Sequence, residues 1–246
     1  FFTTYDGTAS NRIIRLNSDG TVDTAFAVGS GFDSFSNSVS SLSPAADGSD
    51  DVYVGGEFSQ YNGIGSNRII RLNSDGAVEP TFAVGSGIIG SVQSLSAAAD
   101  GSGDVYVGGL FTTYNGTASN NIIRLNSDGT VDTAFAVGTG FDDEVFSLSP
   151  ATDGSGDVYV GGPFTSYDGS VRNRIIRLNS DGSVDSAFAV GSGFDSSSGV
   201  QSLSPATDGS GDVYVGGELI QYNGSSPINN IIRLNGDGSV DSAFVV

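Results

Sequence analysis

"RLNSDGTVDTAF" occupies residues 15–26, and close copies begin at Arg71, Arg124, Arg177 and Arg233. Two physical readings compete for it. Oxygen-bearing side chains stand at alternate positions beside a glycine, as in a calcium loop. Asp-Gly also stands between two apolar runs, as in a tight β-hairpin. A calcium loop places ligands at its first, third, fifth and ninth positions. With Asp19 fifth and Gly20 sixth, Asn17 falls third and Asp23 ninth; Asn126, Asp128 and Asp132 fall likewise in a second copy. The first position falls on Arg15 or Arg124, a cation that cannot ligate, and all five copies share this fault. The turn reading meets no such obstacle, because Asn, Asp and Gly tolerate positive φ. It leaves Arg15 free to grip a carboxylate in a screened site, either Asp23 or an aspartate opening a neighbouring "DVYVGG", such as Asp51.

The copies set the architecture. The Arg-Leu-Asn core recurs after 56, 53, 53 and 56 residues. A full unit holds four β segments. "VQSLSPA" at residues 200–206 is followed by a Gly/Asp turn and "DVYVGG" at residues 212–217; a "YNG" or "YDG" loop leads to "IIRLN" and then to "VDTAF" or a near copy. Val, Ile, Tyr, Phe and Thr dominate the runs, and Asp-Gly, Asn-Gly and Gly-Gly bound them. No stretch has a 3.6-residue apolar period, so essentially no helix is expected. Four short strands per unit of this length predict an all-β propeller of about five four-stranded blades in a single domain, residues 1–246. The units fall at roughly 1–38 (partial), 39–91, 92–144, 145–199 and 200–246. "IIRLN" puts apolar residues on both sheet faces, as stacked blades require. The third and fourth segments occur five times and the first and second only four. One blade therefore lacks its inner hairpin. A five-bladed ring closes if that hairpin is restored, by further residues of the polypeptide or by another chain.

The motifs "VQSLSPATDGSGDVYVGGEL", "NNIIRLNGDGSVDSAF" and the linking "YNG" resemble the bacterial delta-60 repeat, and "DVYVGG" is also similar to the kelch pattern. The resemblance covers nearly the whole chain. It implies a propeller and an extracellular or cell-surface setting, and it carries no catalytic residues onto these positions.

Composition narrows the function. The chain of 246 residues has no Cys, His, Met or Trp, and its nine basic residues are all Arg. Disulfides, thiol chemistry and Cys/His zinc sites are excluded. A net charge of −19 repels nucleic acid and anionic membranes. No apolar run is long enough to span a bilayer. The chain opens on Phe1 without a visible signal peptide, as expected of a processed chain or a piece of a longer one.

Candidate sites are few. Tyr5, Tyr61, Tyr114, Tyr167 and Tyr222 each precede Asn or Asp and then Gly. An aromatic face beside an amide such as Asn62, Asn115 or Asn223 suits a sugar ring, and five such loops would form a multivalent glycan-binding lectin. In the plainer reading Tyr plugs the blade edge while Asn-Gly turns the chain. An enzyme is not expected, since no His or Lys is present to serve as base. The non-repeating acids Glu57, Glu218, Asp142, Asp143 and Glu144 are the only carboxylates offered for glycoside hydrolysis. The sequons at Asn115 and Asn223 lie inside the turn motif, and the Gly55-Gly56 pair suits close backbone approach or a bulge. The preferred expectation is a secreted or cell-surface, cofactor-free structural module. Its partners are proteins, through self-association or neighbouring repeats of a longer array. Calcium titration separates the two readings of the opening motif: the hairpin predicts a melting temperature unmoved by millimolar calcium, and the metal loop predicts a rise.

Overall fold

The computed structural model describes residues 2–33, 38–195, 198–225 and 228–245. These contain β-strands and turns and no helix, and hence no helix long and apolar enough to cross a membrane. In the second repeat, Val39–Pro44 pairs antiparallel with Val52–Gly56, which pairs antiparallel with Ile69–Leu72. Three further sheets repeat this order. Their strands are Ile88–Ala97, Val105–Tyr114 and Ile122–Leu125; Ser147–Pro150, Val158–Gly161 and Ile175–Leu178; and Val200–Pro205, Val213–Gly217 and Ile231–Leu234.

The fourth segment is shorter than a full strand. It joins each sheet through one bridge: Leu16 to Val22, Leu72 to Val78, Leu125 to Val131, Leu178 to Val184 and Leu234 to Val240. The acidic residue that follows stops the ladder. Asp23 accepts Ala25 N–H on its carboxylate (2.9 Å) and Phe26 N–H on its carbonyl (3.2 Å), so the chain turns at once. The "SDG" corner is a hairpin turn, closed by Gly20 N–H on Asn17 O at 2.9 Å with Gly20 at φ 84°. The "YNG" loop is a second hairpin. Gln60–Tyr61 pairs with Ile64–Gly65 around Asn62 (φ 51°) and Gly63 (φ 75°), the two left-handed residues that a type I′ turn requires.

Side chains alternate along each strand between the two neighbouring repeats. Ile175 packs in the core shared with the fifth repeat, while Ile176 and Leu178 pack in the core shared with the third. Tyr159 follows Ile175, and Val158 and Val160 follow Ile176. The apolar interior is thus a series of clusters, each between consecutive sheets. Inter-sheet hydrogen bonds connect the same pairs. Leu95 N–H and Ala97 N–H donate to Ser41 and Ser43 hydroxyls (2.9 and 2.8 Å), Leu148 N–H to Ser94 and Leu203 N–H to Ser147 (both 3.0 Å). At the outer rim, Ala27, Ala83, Ala136 and Ala189 N–H donate to the carbonyls of Asp75, Asp128, Asp181 and Asp237.

The Gly-Gly pair sets the approach. A Cβ on Gly108 would lie 2.5 Å from Val145 Cγ1, and one on Gly109 would lie 2.1 Å from Ser91 O beside the bulge at Val92/Ser94. Gly216 holds the equivalent position in the last repeat, and its Cβ would meet nothing closer than 3.9 Å. Gly108→Ala is therefore expected to cost about 1–3 kcal/mol through overpacking, and Gly216→Ala less than about 0.5 kcal/mol; urea denaturation of the two variants checks the difference.

Candidate functional site

The "IIRL" arginine stands opposite the tyrosine of "VYV" in the ladder, as Arg71 does with Tyr53. That register brings it under the turn of the same repeat's inner hairpin. Arg71 binds Asp47 at 2.6 Å and Asp51 at 2.8 Å, donates to the Tyr53 hydroxyl at 3.0 Å, and lies over the Tyr53 ring at 5.3 Å. Arg124 binds Asp100 (2.6 Å), Asp104 (3.0 Å) and Asp132 (3.3 Å). Arg177 binds Asp153 (2.5 Å), Asp157 (2.9 Å) and Asp185 (3.2 Å). Arg233 repeats the set with Asp208, Asp212 and Asp241. Burial alone would push the Asp47 pKa up; hydrogen bonds from Ser49 and Arg71 outweigh it and bring the carboxyl down to about 2. Of the two partners the sequence offered Arg15, the structure supplies Asp23, at 2.8 Å. Asp51 belongs to Arg71. The aspartates of the inner turn, Asp47, Asp100, Asp153 and Asp208, were read only as turn residues. Their nearly constant offset from the arginine, 24 residues in three repeats and 25 in the last, is the signal that marks them as its partners.

The candidate lectin residues are placed differently from a sugar platform. Tyr61, Tyr114, Tyr167 and Tyr222 are buried, and each hydroxyl donates to the Asp-Gly turn of its own repeat, at Gly76, Gly129, Gly182 and Gly238 (2.9, 2.5, 2.6 and 2.5 Å). Tyr61 packs on Phe32 at 4.8 Å, and burial raises its pKa to about 12. Only Tyr5 is exposed, with its hydroxyl on Gly20 O at 3.0 Å. No buried ring has a face free for a saccharide. The amides link repeats instead: Asn62, Asn115 and Asn223 accept the N–H of Ser30, Ser86 and Ser192 in the preceding repeat (2.6, 3.2 and 3.2 Å), and Asp168 accepts Thr139 N–H (2.9 Å).

The candidate calcium ligands are engaged within their turns. Asp19 accepts both the N–H and the hydroxyl of Thr21 (2.9 and 2.7 Å), and Asn17 donates to that hydroxyl (2.9 Å). Asn126, Asp128 and Thr130 repeat the pattern, while Asp23 and Asp132 face arginines. Among the described residues no group of three or more acidic side chains is arranged to hold a metal ion. Asp142 accepts Thr165 and Ser166 N–H (2.9 and 2.8 Å), fastening one repeat to the next. Burial raises the Glu144 pKa, and the charges of Asp143 and Glu57 add to the shift.

The first repeat leaves an open place. Ile13, Ile14 and Arg15 correspond to paired residues of Ile69–Leu72 but lie outside any strand. Beside them, Phe26, Leu42, Pro44 and Val52 line a largely apolar groove of about 260 Å³ with Arg15 and Asp51 at its edge. The arginines consequently differ in weight. Arg124→Ala strands three carboxylates and is expected to cost about 3–5 kcal/mol. Arg15→Ala removes a half-exposed pair and is expected to cost about 0–1 kcal/mol; thermal and urea unfolding of the two variants compare them.

No curated protein matches the chain. A family model described as "Domain of unknown function (DUF5122) beta-propeller" matches residues 1–26, 48–82, 100–135, 154–188 and 209–244. The last four matches each run from the inner turn through the arginine to the phenylalanine of the fourth segment; the match at 100–135 includes Asp100, and the other three begin one residue after Asp47, Asp153 and Asp208. With more than half of its residues matched in five successive copies, the chain belongs to this beta-propeller family.

Proposed function

We propose that the chain is a non-enzymatic structural and protein-interaction module of the delta-60, kelch-like type, secreted or held at the cell surface, and one unit of a larger array or filament. One observation carries this reading. The polar side chains that recur in every repeat join strand to strand and repeat to repeat, while in two places apolar residues whose counterparts are buried stay uncovered. Ile231 is 39% exposed, whereas its counterparts Ile69, Ile122 and Ile175 are fully buried. Leu42 is exposed in the groove beside residues 13–16. A net charge of −19 favours solubility and disfavours nucleic acid and anionic membranes as partners, consistent with an extracellular protein that binds other proteins.

Sedimentation velocity tests the reading. Association that grows with protein concentration, and that weakens in both Ile231→Glu and Leu42→Glu, is expected. A chain that sediments as one monomeric species across the whole concentration range would overturn it.

A further inference from the structure

We propose that the groove between residues 13–16 and the strand Val39–Pro44 is a docking site for a β-hairpin of the repeat's own inner type. The proposal rests on the reading of the protein as an interaction module and names the partner of that surface.

The chain contains four worked examples of what fills such a place. In each, the inner hairpin lays its second strand along "IIRL", as Val213–Gly217 does along Ile231–Leu234. Two aspartates at its turn reach the arginine, as Asp208 and Asp212 reach Arg233 at 3.0 and 2.8 Å. In the three that another repeat follows, its serine hydroxyls take N–H groups of that repeat's first strand, as Ser147 takes Leu203 N–H. Its tyrosine donates to a carbonyl of the following inner turn, as Tyr53 does to Gly103.

Every receiving group of that interface is present at the groove. The Arg15 side chain is 39% exposed and holds one carboxylate, whereas those of Arg124 and Arg177 are 7% and 6% exposed and hold three each. Leu42 is 51% exposed, while its counterparts Leu95, Leu148 and Leu203 are 6%, 7% and 8% exposed. Asp50, at the position of Gly103, has the left-handed φ of 62° that turns its carbonyl as the glycine does. Charge decides the occupant. The protein is acidic overall, so an acidic hairpin is held best where a cation meets an apolar floor, as the half-paired Arg15 does at this groove. Strand addition to residues 13–16 supplies the backbone hydrogen bonds, and the aspartates supply the register.

A synthetic peptide of residues 200–217, titrated into the intact chain, tests this by calorimetry and melting temperature. Binding at one peptide per chain with a raised melting temperature is expected. Replacing both Asp208 and Asp212 of the peptide by Asn is expected to weaken binding at least tenfold, and Arg15→Ala in the chain likewise. Absence of binding at millimolar peptide would overturn the proposal, as would binding indifferent to both changes. Self-association of the chain that persists unchanged in saturating peptide, with no peptide bound, would overturn the hairpin site while leaving the module reading intact.

Discussion

A sheet that is apolar on both faces cannot stand alone in water, and the rest of this structure follows from that. "IIRL" and "VYV" send alternate side chains to opposite neighbours, and each buried Val, Ile, Leu or Phe contributes about 1.5–3 kcal/mol only while a second sheet covers it. Stability therefore resides in the interfaces more than in the units, as in other stacked repeats. Glycine at the end of the middle strand is part of the same constraint, because Val145 fills the place a Cβ on Gly108 would take.

Against this apolar ground the arginine–carboxylate clusters act mainly on specificity. Removing a guanidinium from water costs several kcal/mol, which the surrounding carboxylates and the tyrosine ring offset. Their geometric effect is clearer than their net energy. One guanidinium draws together the inner turn, the middle strand and the residue that ends the ladder, so Arg177 fixes Asp153, Asp157 and Asp185 relative to one another. A slip of one residue between strands would put the charge on an apolar face. Tyr167 and Asp168 add a second tie, one to the turn of their own repeat and one to the preceding repeat.

The repeat and the strand content are legible because period-2 apolar runs and Asp-Gly corners are local signals. The arginine's bond to Asp23 was legible for the same reason. Its bonds to Asp47 and its equivalents were not, since they depend on a strand pairing that brings together residues far apart in the chain. The tyrosines stay open in the sequence between a blade-edge plug, the preferred reading, and a sugar platform, because a polar aromatic beside an amide looks alike whether it faces water or a core; Phe32 packed on Tyr61 agrees with the plug. The left-handed backbone at Arg12, Arg68 and Arg174 was equally hidden, as arginine carries no conformational signature for it. The fourth segment read as a strand because its Val and Phe alternate plausibly, yet the carboxylate between them captures the backbone N–H two residues on and turns the chain.

The two faces of each sheet are chemically unlike. One offers Tyr, Gly and the first isoleucine of "IIRL"; the other offers Val, Leu and the second isoleucine. Contacts between such faces are head-to-tail, so no two-fold axis can relate neighbouring units. Any assembly propagated through them has an intrinsic polarity. Its two termini present different chemistry, and growth, capping and disassembly need not proceed at the same rate from each.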